Sequence, residues 1–240
     1  MDWELDKEMP KDVFTFVRVK YDTGGRYGYG FGRGSYRFLT DWPDADVNLA
    51  FRLQQMTSLK VHPDGIILEL TDKELFNYPF IYIVEPGDLL FSDEEVSILR
   101  RYLLNGGFLM VDDFWGEAEW ENFHREIKRV FPERELIDLP MDHPVFHCVY
   151  DLKTTKNELQ IPSIHVWQGS RVTWERWDAK EVHIRGIFDD KGRMMVVVCH
   201  NTDNGDGWER EGEDEEYFRI FSEKIAYPLT INVIFYAMTH

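Results

Sequence analysis

Ten residues carry the clearest structural signal in this chain: GGFLMVDDFW, residues 106–115. Residues 108–113 form an apolar run that ends in two aspartates, which is typical of a strand buried on both faces of a parallel sheet. The two glycines before the run favour the end of a helix. Apolar side chains at helical spacing follow at residues 117–131. A helix, a buried strand and a second helix in this order predict an α/β fold.

The same alternation continues on both sides of this segment. Strands rich in β-branched and aromatic residues are predicted at residues 14–21, 66–70 and 80–84. A helix is predicted at residues 44–59 with Asp44 as its N-cap, and Ser92 and Glu95 form a capping box that opens the helix ending at the glycines. This order predicts a three-layer α/β domain around a mostly parallel sheet, with the strand at residue 108 near its middle.

The second half of the chain has a different pattern. From residue 135 to residue 201 the sequence shows short strand candidates and almost no helical period. Strands at residues 182–188 and 193–200 flank the turn residues 189–192, which predicts a β-hairpin. We therefore expect a β-rich C-terminal half.

The chain ends in a long apolar segment, residues 217–238, that predicts a final helix. Pro228 is expected to interrupt it, because proline lacks the N–H that a helix interior requires. No linker separates the two halves of the chain. We therefore expect a tail at residues 1–12 and a single domain at residues 13–240.

Charge and composition exclude several classes of protein. The chain has 240 residues, with 27 basic and 44 acidic side chains and a net charge of −17. This charge argues against a nucleic-acid or anionic-membrane partner, because both require a cationic face. Two cysteines exclude a disulfide scaffold and a cysteine-rich zinc module.

The sequence contains no visible targeting or membrane-spanning signal. Its start is polar and acidic, without the basic and apolar regions of a secretory signal. Its apolar runs are far shorter than the roughly 20 residues that cross a bilayer. We expect a cytoplasmic protein, and an exported protein whose leader has been removed is the alternative. The oligomeric state is not determined by the sequence.

Ligands of an open parallel sheet bind beyond the carboxyl ends of its strands. Four predicted loops lie there, at residues 22–43, 85–91, 112–117 and 200–209. Asp112 and Asp113 end the strand at residue 108, where a carboxylate can act as a metal ligand or a general base. The alternative is an N-cap or turn role at the start of the following helix.

Polar residues crowd the segment HNTDNGDGWE, residues 200–209. They suit the wall of a polar pocket. The alternative is a glycine-rich turn in which the Asn and Asp side chains form hydrogen bonds with the backbone of the same segment. The segment resembles a calcium loop only loosely, because its carboxylate spacing is wrong. Tryptophans near the predicted loops suit a sugar ring. The candidate ligand-binding residues are Trp42, Asp112, Asp113, Trp115, His143, His147, His200, Asn201, Asp203, Asp206 and Trp208.

Neither a metal site nor a cofactor is predicted. The histidines include no short ligand pair, so a mixture of core and surface histidines is expected; a zinc site built from distant residues is the alternative. Cys148 and Cys199 each adjoin a histidine, but neighbours on a strand point to opposite faces. We expect two buried, inert thiols.

The glycine-rich residues 24–37 are predicted to form a mobile flap over the sheet edge.

Five motifs extend along the chain: TDWPDADVNL (40–49), FIYIVEPG (80–87), GGFLMVDDFW (106–115), DHPVFH (142–147) and CHNTD (199–203). Together they resemble the bacterial domain of unknown function 4159 family, from about residue 13 to residue 240. The resemblance implies a flavodoxin-like fold of the class I glutamine-amidotransferase-like group, similar to its trehalose-utilisation-like branch. It implies no reaction. Where an amidotransferase has its nucleophilic cysteine, this chain has Asp112 and Asp113, which argues against glutaminase chemistry.

Three functional hypotheses follow. The first, which we favour, is a nucleophile-free amidotransferase-like domain that binds a small polar ligand, such as a carbohydrate, above Asp113, Trp115 and His200. The second is a metal-dependent hydrolase that uses Asp112 or Asp113 with side chains of the later loops. The third is a structural or assembly protein whose polar loops contact a partner. The first hypothesis does not require an enzyme.

Overall fold

The computed structural model describes Trp3, residues 12–24 and residues 36–240. Within them the strands are, in chain order, β1 (Val17–Lys20), β2 (Asp22–Thr23), β3 (Ile66–Glu69), β4 (Phe80–Val84), β5 (Leu89–Leu90), β6 (Phe108–Asp112), β7 (Ile137–Asp138), β8 (His183–Phe188) and β9 (Met194–His200). Seven of them form one sheet in the order β3-β1-β4-β6-β9-β8-β7, and β2 pairs with β5. Neighbours from β3 to β9 are parallel, whereas β8 is antiparallel to β9 and β7. The predicted α/β architecture with a mostly parallel sheet is confirmed.

Helices cover both faces of this sheet. They are α1 (Asp44–Met56), α2 (Asp93–Leu104), α3 (Gly116–Val130), α4 (Ile164–Ser170), α5 (Asn204–Glu209), α6 (Glu215–Tyr217) and α7 (Tyr227–Thr239), with a π-helical stretch, Phe218–Ala226, before α7. Helices α1, α5 and α7 pack with Phe80 and Tyr82 of β4, whereas α2 and α3 pack with Ile81 and Ile83. Because successive strand side chains point to opposite faces, one strand contributes to both cores. The sheet is thus the middle of three layers.

Strand β6 lies where the sequence predicts it, as the fourth of seven strands. All of its residues are buried, because β4 and β9 flank it and helices cover both of its faces. The capping box is also confirmed: Ser92 Oγ accepts from the Glu95 N–H at 3.2 Å, and Glu95 Oε2 accepts from the Ser92 N–H at 2.8 Å. The hairpin of β8 and β9 is present as predicted.

Three local predictions are wrong. Asp44 does not cap α1, because Pro43 precedes the helix and Asp44 is its first residue. The β-rich half contains α4, and the predicted loop at residues 200–209 includes α5, since Asp203 caps that helix through the Asp206 N–H at 2.7 Å. The final segment stays helical past Pro228, but its helix type changes next to this residue, because the π-helical stretch ends at Ala226 and α7 begins at Tyr227. The predicted interruption near Pro228 is therefore present as a change of helix type and not as a break.

Two predictions fall largely outside the described residues: the tail at residues 1–12 and the glycine-rich flap at residues 24–37. Of the tail, Trp3 is described, and its indole Nε1 donates to the Val61 carbonyl at 2.7 Å. Along the described part of the chain, no helix combines the length and apolarity needed to cross a bilayer.

A buried ion pair joins the sheet to α1 and to the segment before it. Arg18 on β1 and Asp46 on α1 are fully buried, with guanidinium–carboxylate distances of 2.5 and 3.3 Å. Arg18 also donates to the carbonyl groups of Phe38 and Thr40 at 3.0 and 2.6 Å. These hydrogen bonds hold residues 36–41 close to the carboxyl end of β1.

Removing one member of this pair should destabilise the fold strongly. We expect Arg18→Met to lower the free energy of unfolding by about 3–5 kcal/mol, because Asp46 would be left charged and unpaired in the core. The double variant Arg18→Met with Asp46→Leu should recover much of that loss, since no buried charge remains. Urea unfolding of the two single variants and the double variant measures this coupling. Additive effects in the cycle would show that the two side chains do not depend on each other.

The two cysteines differ in exposure. Cys199, on β9, is fully buried, as predicted, and burial raises the pKa of its thiol well above the usual range. Cys148 is exposed, so the prediction of two buried thiols is wrong for this residue. The neighbouring Val149 is also exposed, because residues 147–149 lie on the surface after a short 3₁₀ turn, Pro144–Phe146. An apolar sequence context therefore did not imply burial here.

Thiol labelling tests this difference. A maleimide should add once per native chain, at Cys148, and should reach Cys199 only after denaturation. Mass spectrometry of the intact protein and of its peptides counts and places the adducts. The Cys148→Ser variant should remain unlabelled in the native state, and rapid native labelling of Cys199 would contradict the buried position.

Candidate functional site

The carboxyl ends of β1, β4, β6 and β9 meet at one edge of the sheet. Four non-glycine residues in the connections leaving this edge have left-handed φ angles: Asp41 (62°), Glu85 (47°), Asp113 (55°) and Asn201 (64°). This conformation costs such a residue about 1–3 kcal/mol and persists only where the surrounding structure requires it. Strain of this kind clusters at functional sites, which makes this edge the candidate site.

Asp112, the last residue of β6, is a buried structural centre. Its carboxylate accepts hydrogen bonds from the Asn204 side chain (2.8 Å), the backbone N–H groups of Asn204 (3.0 Å) and Gly205 (3.2 Å), and the Tyr82 hydroxyl (3.1 Å). Burial raises its pKa to about 6, although these hydrogen bonds favour the charged form. Asp112 therefore attaches the start of α5 to the sheet and does not cap α3.

Three carboxylates form the centre of the site, and we call Asp41, Asp203 and Asp206 the acidic triad. One oxygen from each lies within 4.8 Å of the others. Asp206 Oδ2 accepts from the Ile164 N–H at 2.6 Å, and Asp203 caps α5. Asp41 Oδ2, in contrast, is enclosed and has no hydrogen-bond partner in the described chain.

The close approach of the triad depends on a glycine at the start of α5. A Cβ atom at position 205 would collide with Asp41 Oδ2. Burial, followed by the charges of its acidic neighbours, raises the pKa of Asp41 and of Asp203 well above the usual range. The triad is thus held together against electrostatic repulsion.

More acidic groups surround the triad. Asp113 has a pKa raised well above its usual range, first by burial and then by the charges of Glu85 and Asp41. Its Oδ1 accepts from the Trp115 indole Nε1 at 3.0 Å. Nearby cations are already engaged: Arg18 binds Asp46, and Arg37 lies 3.5 Å from a Glu85 oxygen. The edge therefore gathers more carboxyl groups than cations.

His200, a predicted ligand residue, has both ring nitrogens engaged by the protein. Nε2 donates to the Gly116 carbonyl at 3.1 Å, and Nδ1 lies 3.3 Å from an Arg185 nitrogen, which can only donate. Burial lowers the pKa of His200 to about 3, so the ring is neutral near pH 7. In this arrangement His200 orients the start of α3 and offers no free nitrogen to a ligand.

The remaining candidates from the sequence separate into two groups. His143 and His147 lie at the opposite edge: the His143 ring packs 5.8 Å from that of Phe188, near the amino end of β9, and His147 binds Asp151. The structure therefore contradicts their placement with Asp112 and Asp113. The reason is that residues 142–147 pack under α7 rather than reaching over the sheet.

The aromatic and amide candidates lie at the carboxyl edge of the sheet, as predicted, but their side chains pack against or hydrogen-bond to other groups of the protein. Trp115 is 3% exposed, and Trp208 is fully buried against Phe16 and Tyr82. Asn201 Oδ1 accepts from the Gly116 N–H at 2.8 Å, so its amide caps α3. Trp42 lies 5.9 Å from the Arg18 guanidinium. A sugar ring has no free face on Trp115 or Trp208.

Sequence reasoning missed several acidic groups of the site, namely Asp41, Glu85, Glu119 and Glu175. Asp41 and Glu85 stand within the quoted motifs TDWPDADVNL and FIYIVEPG, so a signal for them was present. Buried Glu119, on α3, accepts from the Trp115 N–H at 2.8 Å and is 2.5 Å from Arg176. Nothing local distinguishes Glu119 or Glu175 from solvent-exposed helix and loop acids.

Raised carboxyl pKa values make stability depend on pH. The pKa of Asp112 is 3.8 when unperturbed and about 6 in the fold, so its stabilising contribution is complete below about pH 4 and is lost as the pH rises through 6. In chelator, we expect Asp112 to contribute a fall in the free energy of unfolding on the order of 3 kcal/mol over this range. Asp112→Asn should flatten the fall, because an amide does not titrate in this range. The new amide can also donate to Asn204 Oδ1, which has no partner within the described residues.

Urea unfolding at several pH values measures this effect, and Asp142→Asn, which changes an exposed carboxyl group, is the control. An Asp112→Asn profile that runs parallel to the wild-type profile would show that Asp112 does not titrate in this range.

Comparison with known proteins gives a family and no reaction. No curated protein matches the chain. The family model described as "Domain of unknown function (DUF4159)" matches residues 15–238, and therefore covers every strand and helix from β1 to all but the last residue of α7, together with the acidic triad. This chain belongs to the DUF4159 family.

Proposed function

We propose that this protein binds a divalent cation through the acidic triad and uses the cation to hold a small polar ligand at the carboxyl edge of the sheet. One observation carries the proposal: three carboxylate oxygens lie within 4.8 Å of one another, and the enclosed Asp41 Oδ2 among these carboxyl groups has no partner in the described chain. Such a group is costly to bury unless a hydrogen bond or a cation satisfies it.

The chemistry of the triad selects the kind of cation. Carboxylate oxygens are hard ligands, which suit Mg²⁺, Mn²⁺ and Ca²⁺ rather than thiolate-seeking metals. Three protein oxygens leave coordination positions for water or for oxygens of a ligand. Hydroxyl or oxyanion groups of a polyol, sugar or phosphate would fit these positions. Cation binding would also displace the protons that raised pKa values retain on Asp41 and Asp203.

A metal-dependent hydrolase is a second candidate, and Asp113 is the observation that favours it. Its carboxyl group is buried, strained at φ 55° and raised in pKa next to the triad. A carboxyl group with a raised pKa can retain a proton and donate it to a leaving group held by the cation. Asp113→Asn should then abolish turnover and leave cation binding intact, whereas a binding protein shows no turnover to lose.

At the level of the fold, we propose that the chain is a flavodoxin-like domain of the class I glutamine-amidotransferase-like group. The strand order β3-β1-β4-β6-β9 supports this, because in chain order it corresponds to the doubly wound order 2-1-3-4-5. Asp41 and Glu85 follow the two strands at its switch point, β1 and β4. Asp113 holds the strained position between β6 and α3 where a nucleophile would stand. We therefore propose no glutaminase activity.

Thermal unfolding with and without cations tests the proposal. At about one hundred times the dissociation constant, Mg²⁺, Mn²⁺ or Ca²⁺ should raise the melting temperature of the wild type by about 5–10 °C. Asp41→Asn should lose this shift, because an amide oxygen binds the cation less strongly than a carboxylate. Its own melting temperature in chelator should equal or exceed that of the wild type, because repulsion is relieved and asparagine tolerates the left-handed conformation.

Asp142→Asn is the matched control, since it removes an equal charge from an exposed position. It should keep the full cation shift. A wild type that responds to none of the three cations, together with a destabilised Asp41→Asn, would contradict the proposal and favour a purely structural role for the triad.

A further inference from the structure

A cavity of about 650 Å³ lies between residues 151–160 and the π-helical stretch Phe218–Ala226. No member of the acidic triad lines it among the described residues. Its volume falls within the range of sites for small organic molecules. Its apolar lining consists of Leu152, Leu159, Trp167, Ile220, Phe221 and Ile225. This composition suits an apolar ligand body, in contrast to the carboxyl edge of the sheet.

The charged side chains around this cavity leave one cation unpaired. Asp151 is paired with His147 at 2.7 Å and with Lys153 at 2.8 Å. Glu158 has no cationic partner in the described chain, but its carboxylate is satisfied by three hydrogen bonds, from the Thr155 N–H at 2.7 Å and from the hydroxyl groups of Thr154 and Thr155 at 2.6 and 2.8 Å. Lys224 also lines the cavity, and no residue of the described chain forms an ion pair or hydrogen bond with it. The cavity thus presents an apolar interior with a free ammonium group at its rim.

The helical wall of the cavity has an uncommon geometry. Lys224, Ile220 and Ile225 belong to the π-helical stretch, and such stretches occur frequently at functional sites. Opposite them the Trp167 ring meets the Phe221 ring edge-on at 5.0 Å. The Trp167 indole Nε1 is enclosed and lacks an acceptor within the described residues. A buried N–H without an acceptor is destabilising, so the wall of this cavity includes an unsatisfied polar group.

We propose that this cavity binds a small amphipathic monoanion, with its apolar body against Leu159, Phe221 and Ile225 and its anionic group at Lys224. The charge pattern selects a carboxylate or sulfonate rather than a neutral lipid, because Lys224 is, among the described residues that line the cavity, the charged side chain left without a hydrogen bond or an ion pair. The ligand is distinct from the polar ligand of the acidic triad. Binding here does not depend on a divalent cation.

Displacement of a fluorescent probe tests the proposal in the full chain, in buffer with chelator. The probe is 1-anilinonaphthalene-8-sulfonate, which itself combines an apolar body with an anionic group. Decanoate should displace it at least tenfold more effectively than decanol, since both have the same chain length but only decanoate can pair with Lys224. Lys224→Met should weaken decanoate at least tenfold and leave decanol unchanged.

Two further variants complete the test. Ile225→Trp should fill the cavity and abolish displacement by both ligands; Ile220→Trp does so from the neighbouring position if the first variant melts early. Lys191→Met is the matched control, because Lys191 is an exposed lysine on a different cavity, and it should behave like the wild type. Equal potency of decanoate and decanol on the wild type, or an unchanged decanoate affinity in Lys224→Met, would overturn the proposal.

Discussion

The buried carboxylate of Asp112 is the constraint on which the site depends. A charge at the end of a central strand, with no exposed surface, must be satisfied by hydrogen bonds or lose its charge. Here the backbone and side chain of Asn204 and the N–H of Gly205 supply these bonds, so α5 has to begin directly above β6. Two members of the acidic triad, Asp203 and Asp206, are carried to the sheet edge by this attachment.

The third member reaches the same place by a separate route. Arg18 on β1 binds the carbonyl groups of Phe38 and Thr40, and Asp41 follows in a left-handed conformation. Since Arg18 also pairs with Asp46, one guanidinium group positions the segment before α1 and the helix itself. The acidic triad is therefore formed by two rigid attachments to the sheet, one at β6 and one at β1, and not by a flexible loop.

These attachments concentrate like charges, which opposes folding. Burial and mutual repulsion raise the carboxyl pKa values along the edge, and four backbone positions are strained as well. Natural proteins tolerate such local costs chiefly at functional sites, where stability and function compete. His200 shows the opposite arrangement, because its ring is neutral and both ring nitrogens have hydrogen-bond partners in the protein. Such complete hydrogen bonding is typical of a structural residue. This contrast is why the triad, and not the histidine, is the centre of our proposal.

The sequence by itself determined the elements whose signals are local. Apolar runs and glycines located β4 and β6, a capping box located α2, and candidates such as Asp113, Asp203 and Asp206 followed from their positions after strands. Only the tertiary structure decided which side chains meet. Asp41 joins residues far away in the chain, Trp208 enters the core, and Cys148 remains at the surface. Local periodicity shows which face of a helix or strand is apolar. The positions of these three side chains depend instead on which residues from distant parts of the chain pack against them and form their hydrogen bonds.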